Sequence, residues 1–341
     1  MAKPTSIRLF ALLFAFVLSF SNAHSTATSP QLKVCYVVDM GNLLAREFAR
    51  TTGVKVQSIR LPGSGMALHR IRSNQSTPFC DVWFGGSIGA HAQASYEGLT
   101  AKYQSINISK LDKRYRDPLG DNRVTGIYTG TLVFISNKNT YKSLQLPLPK
   151  SWTHLLNNEL KNRIGVKSPL VSGTAYTMLS TLVQLMGEDN AYGYLRSLHQ
   201  NTATYTNSHI ELVKTGHLGT IVTFYHELHD LIPNHLEVTL PVEGTGYEIG
   251  GLSLVANGKN RKNAEQFIDF VLSDHSAEII RTATNSRQYT HTVLGQNEFQ
   301  PLLKNAKILP LDIKWFGENR QRLIDRYQRE VIAFSNSSKN Q

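Results

Sequence analysis

The chain has 341 residues, 41% of them hydrophobic and 18% charged, with a formal charge of +11. That length and hydrophobic share support two globular domains, each with its own core. The Lys and Arg residues are scattered and not interleaved with aromatic ones, which argues against a nucleic-acid partner, and no solenoid repeat is visible.

Met1 to Ala23 reads as an export signal. Lys3 and Arg8 precede the apolar run Leu9 to Leu18, and Ser21-Asn22-Ala23 offers the small residues of a cleavage site, so a soluble, exported mature chain is expected to start near His24. No later stretch is long and apolar enough to span a bilayer. Cys35 is too far downstream to be a lipid-anchor site. The first third then alternates. Leu32 to Val38 is strand-like, Gly41 to Thr52 carries Leu44 and Phe48 on one helix face, and Val54 to Leu61 is strand-like again. Pro62-Gly63-Ser64-Gly65 turns into a helix over Met66 to Asn74, and Phe79 to Phe84 is a third strand closed by Gly85-Gly86-Ser87. Such a βαβαβ order predicts a parallel sheet whose ligand edge is at the strand C-termini. Cys35 and Cys80 fall on the first and third strands, where they either pair in an oxidising compartment or remain buried thiols.

Val124 to Ser136 is a nearly continuous strand with Gly126, Tyr128 and Gly130, suited to crossing between domains. Pro147 to Trp152 introduces a short helix, and Arg163 to Lys167 is a strand. It runs into Ser168-Pro169-Leu170-Val171-Ser172-Gly173-Thr174-Ala175-Tyr176, followed by a helix with Leu179, Leu182, Val183 and Met186 on one face. A Gly between two hydroxyl residues marks that helix start. Its free N–H groups carry partial positive charge, so Ser172, Thr174 and the Ala175 amide can donate to an anion or a polyol; a simple N-cap is the alternative.

A second helix begins at Glu188-Asp189. The strand Thr220 to Tyr225 then ends in His226-Glu227-Leu228-His229-Asp230, whose spacing is not that of His-Glu-x-x-His zinc sites. His226 and Glu227 are read as cleft residues that hydrogen-bond a solute, with a structural role in a loop as the alternative. Leu236 to Leu240 leads into Pro241 to Ile249, where Glu243 and Glu248 either face the cleft or are solvated. Ala264, Phe267, Ile268 and Val271 mark another helix, and Ser273 to Thr282 a further one. A basic closing helix is expected to turn Ile324, Tyr327, Val331 and Phe334 inward and Arg320, Arg322, Arg326 and Arg329 to solvent. The tail from Ser335 to Gln341 reads as disordered.

Five stretches together resemble the solute-binding proteins of ABC importers, in the branch of ferric-ion-binding, hexose-phosphate-binding and phosphoglycerate-sensing proteins. They are Asp81-Val82-Trp83-Phe84-Gly85-Gly86-Ser87, Thr125-Gly126-Ile127-Tyr128, Pro149-Lys150-Ser151-Trp152, Ser172-Gly173-Thr174-Ala175-Tyr176-Thr177 and Glu243-Gly244-Thr245-Gly246-Tyr247-Glu248. The resemblance implies an α/β, two-lobe type II periplasmic binding fold with mixed sheets flanked by helices. Lobe 1 would comprise residues 24–125 and 241–341, and lobe 2 residues 126–240. Hinge motion would close the ligand between them. Ser64, Ser87, Ser172, Thr174 and Ala175 then become donors to an anionic group, and His226, Glu227 and Glu248 contacts to hydroxyls. Gly65, Gly86, Tyr128, Gly173 and Glu243 would line the same cleft. This donor and acceptor mixture suits a phosphorylated sugar. Ferric-ion binders in the branch typically present adjacent tyrosines. Here Tyr225-His226-Glu227 stands instead, and Met66 replaces an acidic residue often found after the Gly-Ser-Gly turn; both lower an iron reading. The implied partner is a membrane ABC permease, or a sensor kinase in signalling relatives. A monomer without cofactor is expected, and no catalytic acid-base pair, nucleophile elbow or cofactor-lysine context points to an enzyme.

Overall fold

The computed structural model describes residues 31–205, 209–227, 233–283 and 306–333. The export signal, His24, His229, Asp230, Phe334 and the expected disordered tail lie outside the described residues. The chain opens with β1 (Leu32–Tyr36), α1 (Met40–Thr52), β2 (Val56–Arg60), α2 (Ser64–Ser73), β3 (Val82–Ser87), α3 (Ile88–Tyr96) and β4 (Thr100–Ala101). After α4 (Lys113–Arg116), the long β5 (Thr125–Asn137) leads to α5 (Lys138–Ser143), β6 (Ile164–Gly165), α6 (Gly173–Met186) and α7 (Glu188–Asn201). Then follow β7 (Thr202–Thr204), α8 (His209–Lys214), β8 (Thr220–Phe224), β9 (Leu236–Thr239) and β10 (Tyr247–Val255). The helices α9 (Arg261–Val271), α10 (Asp274–Ala283), α11 (Ile313–Glu318) and α12 (Arg320–Tyr327) come last, and α12 runs into a π-helical turn over Gln328–Ala333.

The strands order as β2-β1-β3-β10-β5-β8-β6-β7, with β4 on β10 and β9 on β5. Both ends are parallel and the middle is antiparallel. β3 is buried along its whole length, as a strand covered by helices on both faces must be. On one face α1 buries Met40, Leu44 and Phe48, spaced one helical turn apart, and Phe48 meets Phe267 of α9 edge-on at 5.4 Å. The other face packs α2 and α3 around Trp83, with Cys35 and Cys80 among them. Those cysteines form a disulfide, which settles the alternative left open by the sequence.

β5 holds the two halves together. Residues Thr125 to Thr131 pair with β10, whereas Leu132 to Ser136 pair with β8. The exchange of partners at Leu132 comes later along the strand than the expected lobe boundary at residue 126. Leu132 is also tied to the second crossing: its amide donates to the Gly246 carbonyl at 3.0 Å, and Thr245 Oγ1 donates to its carbonyl at 2.7 Å.

The C-terminal segment departs from expectation. Phe316, Leu323, Ile324, Tyr327 and Val331 pack into the core built from Leu132, Tyr176, Leu179 and Tyr192, so this segment joins the core of the second half-sheet, while α11 also lies against α3. Its basic face is not free either. Arg326 bridges Glu188, Asp189 and Glu330, Arg322 pairs with Glu188, and Arg320 is buried over the Tyr176 ring with Nη1 donating to Gln93 Oε1 at 3.3 Å. The acidic first turn of α7 selects this arrangement, since carboxylates at a helix N-terminus attract the arginines.

The disulfide closes a segment with a sequence separation of 45. Replacing both Cys35 and Cys80 by Ala is expected to lower unfolding stability by about 2–4 kcal/mol, read by urea denaturation, without changing ligand affinity. An unchanged midpoint would mean that the bridge does not constrain the unfolded chain.

Candidate functional site

A cleft of about 360 Å³ lies where the two halves face one another. Val37, Val38 and Asp39 follow β1, Arg60 ends β2, and Pro62, Gly63 and Ser64 lead into α2; Gly86 comes from β3. Across from them are Lys167 after β6, Ser172, Gly173 and Thr174 at the start of α6, and Phe224, His226 and Glu227 at the end of β8. The crossing strands β5 and β10 supply Tyr128 and Glu248. Strand C-termini thus collect the site, as the chain order predicts. A second cavity of about 380 Å³, lined by Tyr141, Leu146, Pro147 and Leu160 among others, belongs to one half alone.

The two halves touch at one edge of the cleft. Gly65 N donates to Val171 O at 2.9 Å. A Cβ on Gly63 would sit 2.3 Å from Val171 O, and one on Gly65 would sit 2.0 Å from Leu170 O. Both glycines are therefore set by close backbone approach. Gly65 is not among the residues that line this cavity, and its amide already serves this contact. Ser64 Oγ accepts from Ser87 N at 2.7 Å, and Tyr128 OH accepts from Gly86 N at 2.7 Å. Ser87 lies behind Ser64, so the ligand role expected of it falls to Ser64, whose hydroxyl lines the cavity.

At α6, Ser172 is the N-cap, and its Oγ accepts from Ala175 N at 3.4 Å. The Ala175 amide is thus engaged by the cap. Gly173 and Thr174, whose first-turn amides have no intrahelical acceptor, do line the cavity. Thr174 Oγ1 donates to Glu227 Oε1 at 3.0 Å. Glu243 is elsewhere: it accepts from Ser151 Oγ and from Trp152 N at 3.4 Å, holding the start of the 3-10 helix Trp152–Leu156. That helix terminus is a ready partner for a carboxylate, and Glu243 is not among the residues that line the cavity.

Of the expected carboxylates, Glu227 and Glu248 remain, in opposite states. Burial pushes the Glu227 carboxyl up, but Lys167 and then His209 outweigh it and hold it at about 2. Lys167 Nζ donates to Glu227 Oε2 at 2.6 Å, and both side chains are largely buried. Removing one member of such a pair strands the other and costs about 3–5 kcal/mol. Glu248, 3% exposed on β10, accepts from Thr177 Oγ1 at 3.2 Å, and burial pushes its carboxyl up to about 8. Near neutral pH these two cleft carboxyls therefore differ, Glu227 ionised and Glu248 protonated. His226 stacks on Phe224 at 5.3 Å and meets Tyr128 edge-on at 5.4 Å. Its ring lies where a Cβ on Gly130 would be, 2.5 Å from Cε1.

Asp39, Arg60 and Lys167 escaped the sequence reading. Each is a charged residue at or just past the end of a strand-like run on the predicted ligand edge, and that placement was the available signal.

Residues 78–315 match the family of bacterial extracellular solute-binding proteins. The chain belongs to that family. It is 34% identical to an uncharacterized protein of Haemophilus influenzae, over 84% of this chain and 86% of that one. It is 24% identical to the Fe(3+)-binding periplasmic protein of Serratia marcescens, covering 90% and 89% respectively. Among solved structures it is similar to the periplasmic binding protein AfuA from Actinobacillus pleuropneumoniae with fructose-6-phosphate bound, at 31% identity, TM-score 0.80 and coverage of 88% and 98%. This solute-binding protein has the type II periplasmic binding fold, a mixed sheet flanked by helices. It is of the ABC-importer type, a family of substrate-binding proteins that partner a membrane permease. Among the described residues no helix is long and apolar enough to cross a membrane.

The carboxyl of Glu248 is held above its ordinary 4.5, so the folded protein keeps a proton that the unfolded chain releases. That contribution is fully present below about pH 4.5 and is lost as the pH rises to about 8. Glu248→Gln lacks this titration. Thermal melts at about pH 5, 7 and 9 should show the wild-type protein losing stability relative to the variant as pH rises. A constant difference would mean that the carboxyl of Glu248 is not raised in the folded protein.

Proposed function

We propose that this solute-binding protein captures a small phosphorylated organic solute, a hexose phosphate, in the cleft and delivers it to a membrane ABC permease. The observation that carries this reading is the meeting of two unlike sets of groups in one cavity. The first-turn amides of α6 at Gly173 and Thr174 and the hydroxyls of Ser64 and Ser172 offer donors. Glu227, Glu248 and His226 offer hydrogen-bonding groups of the kind that recognise sugar hydroxyls. Phosphate needs clustered N–H and O–H donors, and a helix N-terminus adds favourable charge. A protonated Glu248 can donate as well as accept, which a ring of hydroxyls can use. The fructose-6-phosphate in AfuA, at 31% identity, supports the same class of ligand.

The ferric-ion alternative draws on the Serratia relative. Hard Fe(III) favours several anionic oxygens. Tyr128 lines the cleft, and its phenol oxygen accepts from the Gly86 amide. Glu227 is shared between Lys167 and Thr174. Among the described residues no three His, Cys, Asp or Glu side chains are grouped to hold a metal. These placements favour the organic anion. A sensory role, in which the loaded protein is presented to a membrane kinase, would use the same cleft.

A thermal-shift series with hexose 6-phosphates, free hexoses, phosphoglycerate, inorganic phosphate and Fe(III) tests the reading, because a ligand of the folded state raises the melting temperature. Hexose phosphates should shift it and free hexoses should not; a shift with Fe(III) alone would overturn the proposal. Ser172→Ala combined with Thr174→Val should weaken hexose-phosphate binding roughly 10- to 100-fold in titration calorimetry. Because Ser172 caps α6 and Thr174 bonds Glu227, the pair should also lose about 1–3 kcal/mol of stability.

A further inference from the structure

Two basic side chains of unlike standing line the cleft. Lys167 is 13% exposed and held on Glu227, which also accepts from Thr174 and has His209 Nε2 3.8 Å away. Arg60, 53% exposed, pairs with Asp39, 68% exposed, across the ends of β2 and β1. Asp39 is the N-cap residue of α1, yet its side chain makes no cap hydrogen bond there. Its carboxylate is aimed at the guanidinium.

A phosphate monoester brings up to two negative charges into this cavity and needs a cation beside it. At Lys167 it would lie against the ionised Glu227, whose oxygen is 2.6 Å from Nζ. Freeing Lys167 would strand a carboxylate that is mostly out of water. Arg60 is different. Its partner rotates into solvent, and an exposed pair of this kind contributes only roughly one- to fivefold to an equilibrium constant. The guanidinium fork also matches two phosphate oxygens, which an ammonium cannot do. Arg60 stands just before Pro62, Gly63 and Ser64 in the chain and lines the same cavity as the start of α6.

We propose that Arg60 is a specificity-determining residue that exchanges Asp39 for the phosphate of the solute, while Lys167 stays on Glu227. The assignment rests on the phosphorylated-solute reading above. It makes Asp39 an internal competitor: it holds the guanidinium in place in the empty cleft and is displaced when the ligand enters.

Titration calorimetry of the purified protein with fructose 6-phosphate tests this, with wild type, Arg60→Gln, Asp39→Asn and the double variant. Arg60→Gln should weaken binding roughly 10- to 100-fold. Asp39→Asn should tighten it by roughly two- to fivefold, since the competitor is gone. A pair that served only the fold would lose the same contact in either variant, and both affinities would move the same way. In the Arg60→Gln background the gain from Asp39→Asn should shrink. If that gain persists in full, Asp39 acts by general repulsion and the exchange is wrong. Wild-type binding with an unaltered Arg60→Gln affinity also overturns the assignment. Failure of wild type to bind fructose 6-phosphate or any other hexose phosphate overturns the phosphorylated-solute reading itself, and the Arg60 assignment falls with it.

Discussion

Leu132 gives its amide to Gly246 and takes a hydroxyl proton from Thr245, and this small knot joins the two strands that pass between the halves of the molecule. Everything else in the architecture follows from β5 being shared. Because one strand pairs with β10 along its first part and with β8 and β9 along its second, the two half-sheets are continuous yet separately cored. Backbone hydrogen bonds at the crossing are obligatory. Bending concentrated there leaves both cores intact, which is what hinge closure around a solute requires.

The chemistry of the cleft depends on burial as much as on residue type. Glu227 and Glu248 are the same side chain in the same cavity, but Lys167 keeps the first ionised and desolvation keeps the second protonated. The cavity therefore offers an acceptor and a donor where the sequence shows two acids. The glycines have a similar logic. Gly63 and Gly65 leave room for the backbone of Leu170 and Val171, and Gly130 leaves room for the His226 ring. A methyl group at any of them would push apart surfaces that the closed cleft brings together.

The C-terminal segment adds a third connection between the halves. α11 lies against α3, with Gly317 close to Ala92, while Phe316 receives the Tyr176 hydroxyl proton on its carbonyl and α12 continues into the second core. Arg320 sits inside this junction, between Gln93 of α3 and the ring of Tyr176 in α6. A cation is held there by contacts from both halves, not by solvent.

Local pattern settled much of this protein. The βαβαβ alternation, the position of β5, the cap at Ser172 and the strand endings that carry Ser64, Gly86, His226 and Glu227 were legible, because periodicity and turn residues act over short stretches. Long-range partnership was not. Whether Cys35 met Cys80, whether Glu243 faced the cleft or the start of a 3-10 helix, and whether Arg320 faced water or Tyr176 depended on residues 45 to roughly 140 positions away. The sequence by itself determined which elements form and which edge gathers the polar loops. Only the tertiary structure decided which amides were already engaged, which carboxylate kept its proton and which half the C-terminal helix joined, because those outcomes are set by what packs against each group and not by its neighbours in the chain.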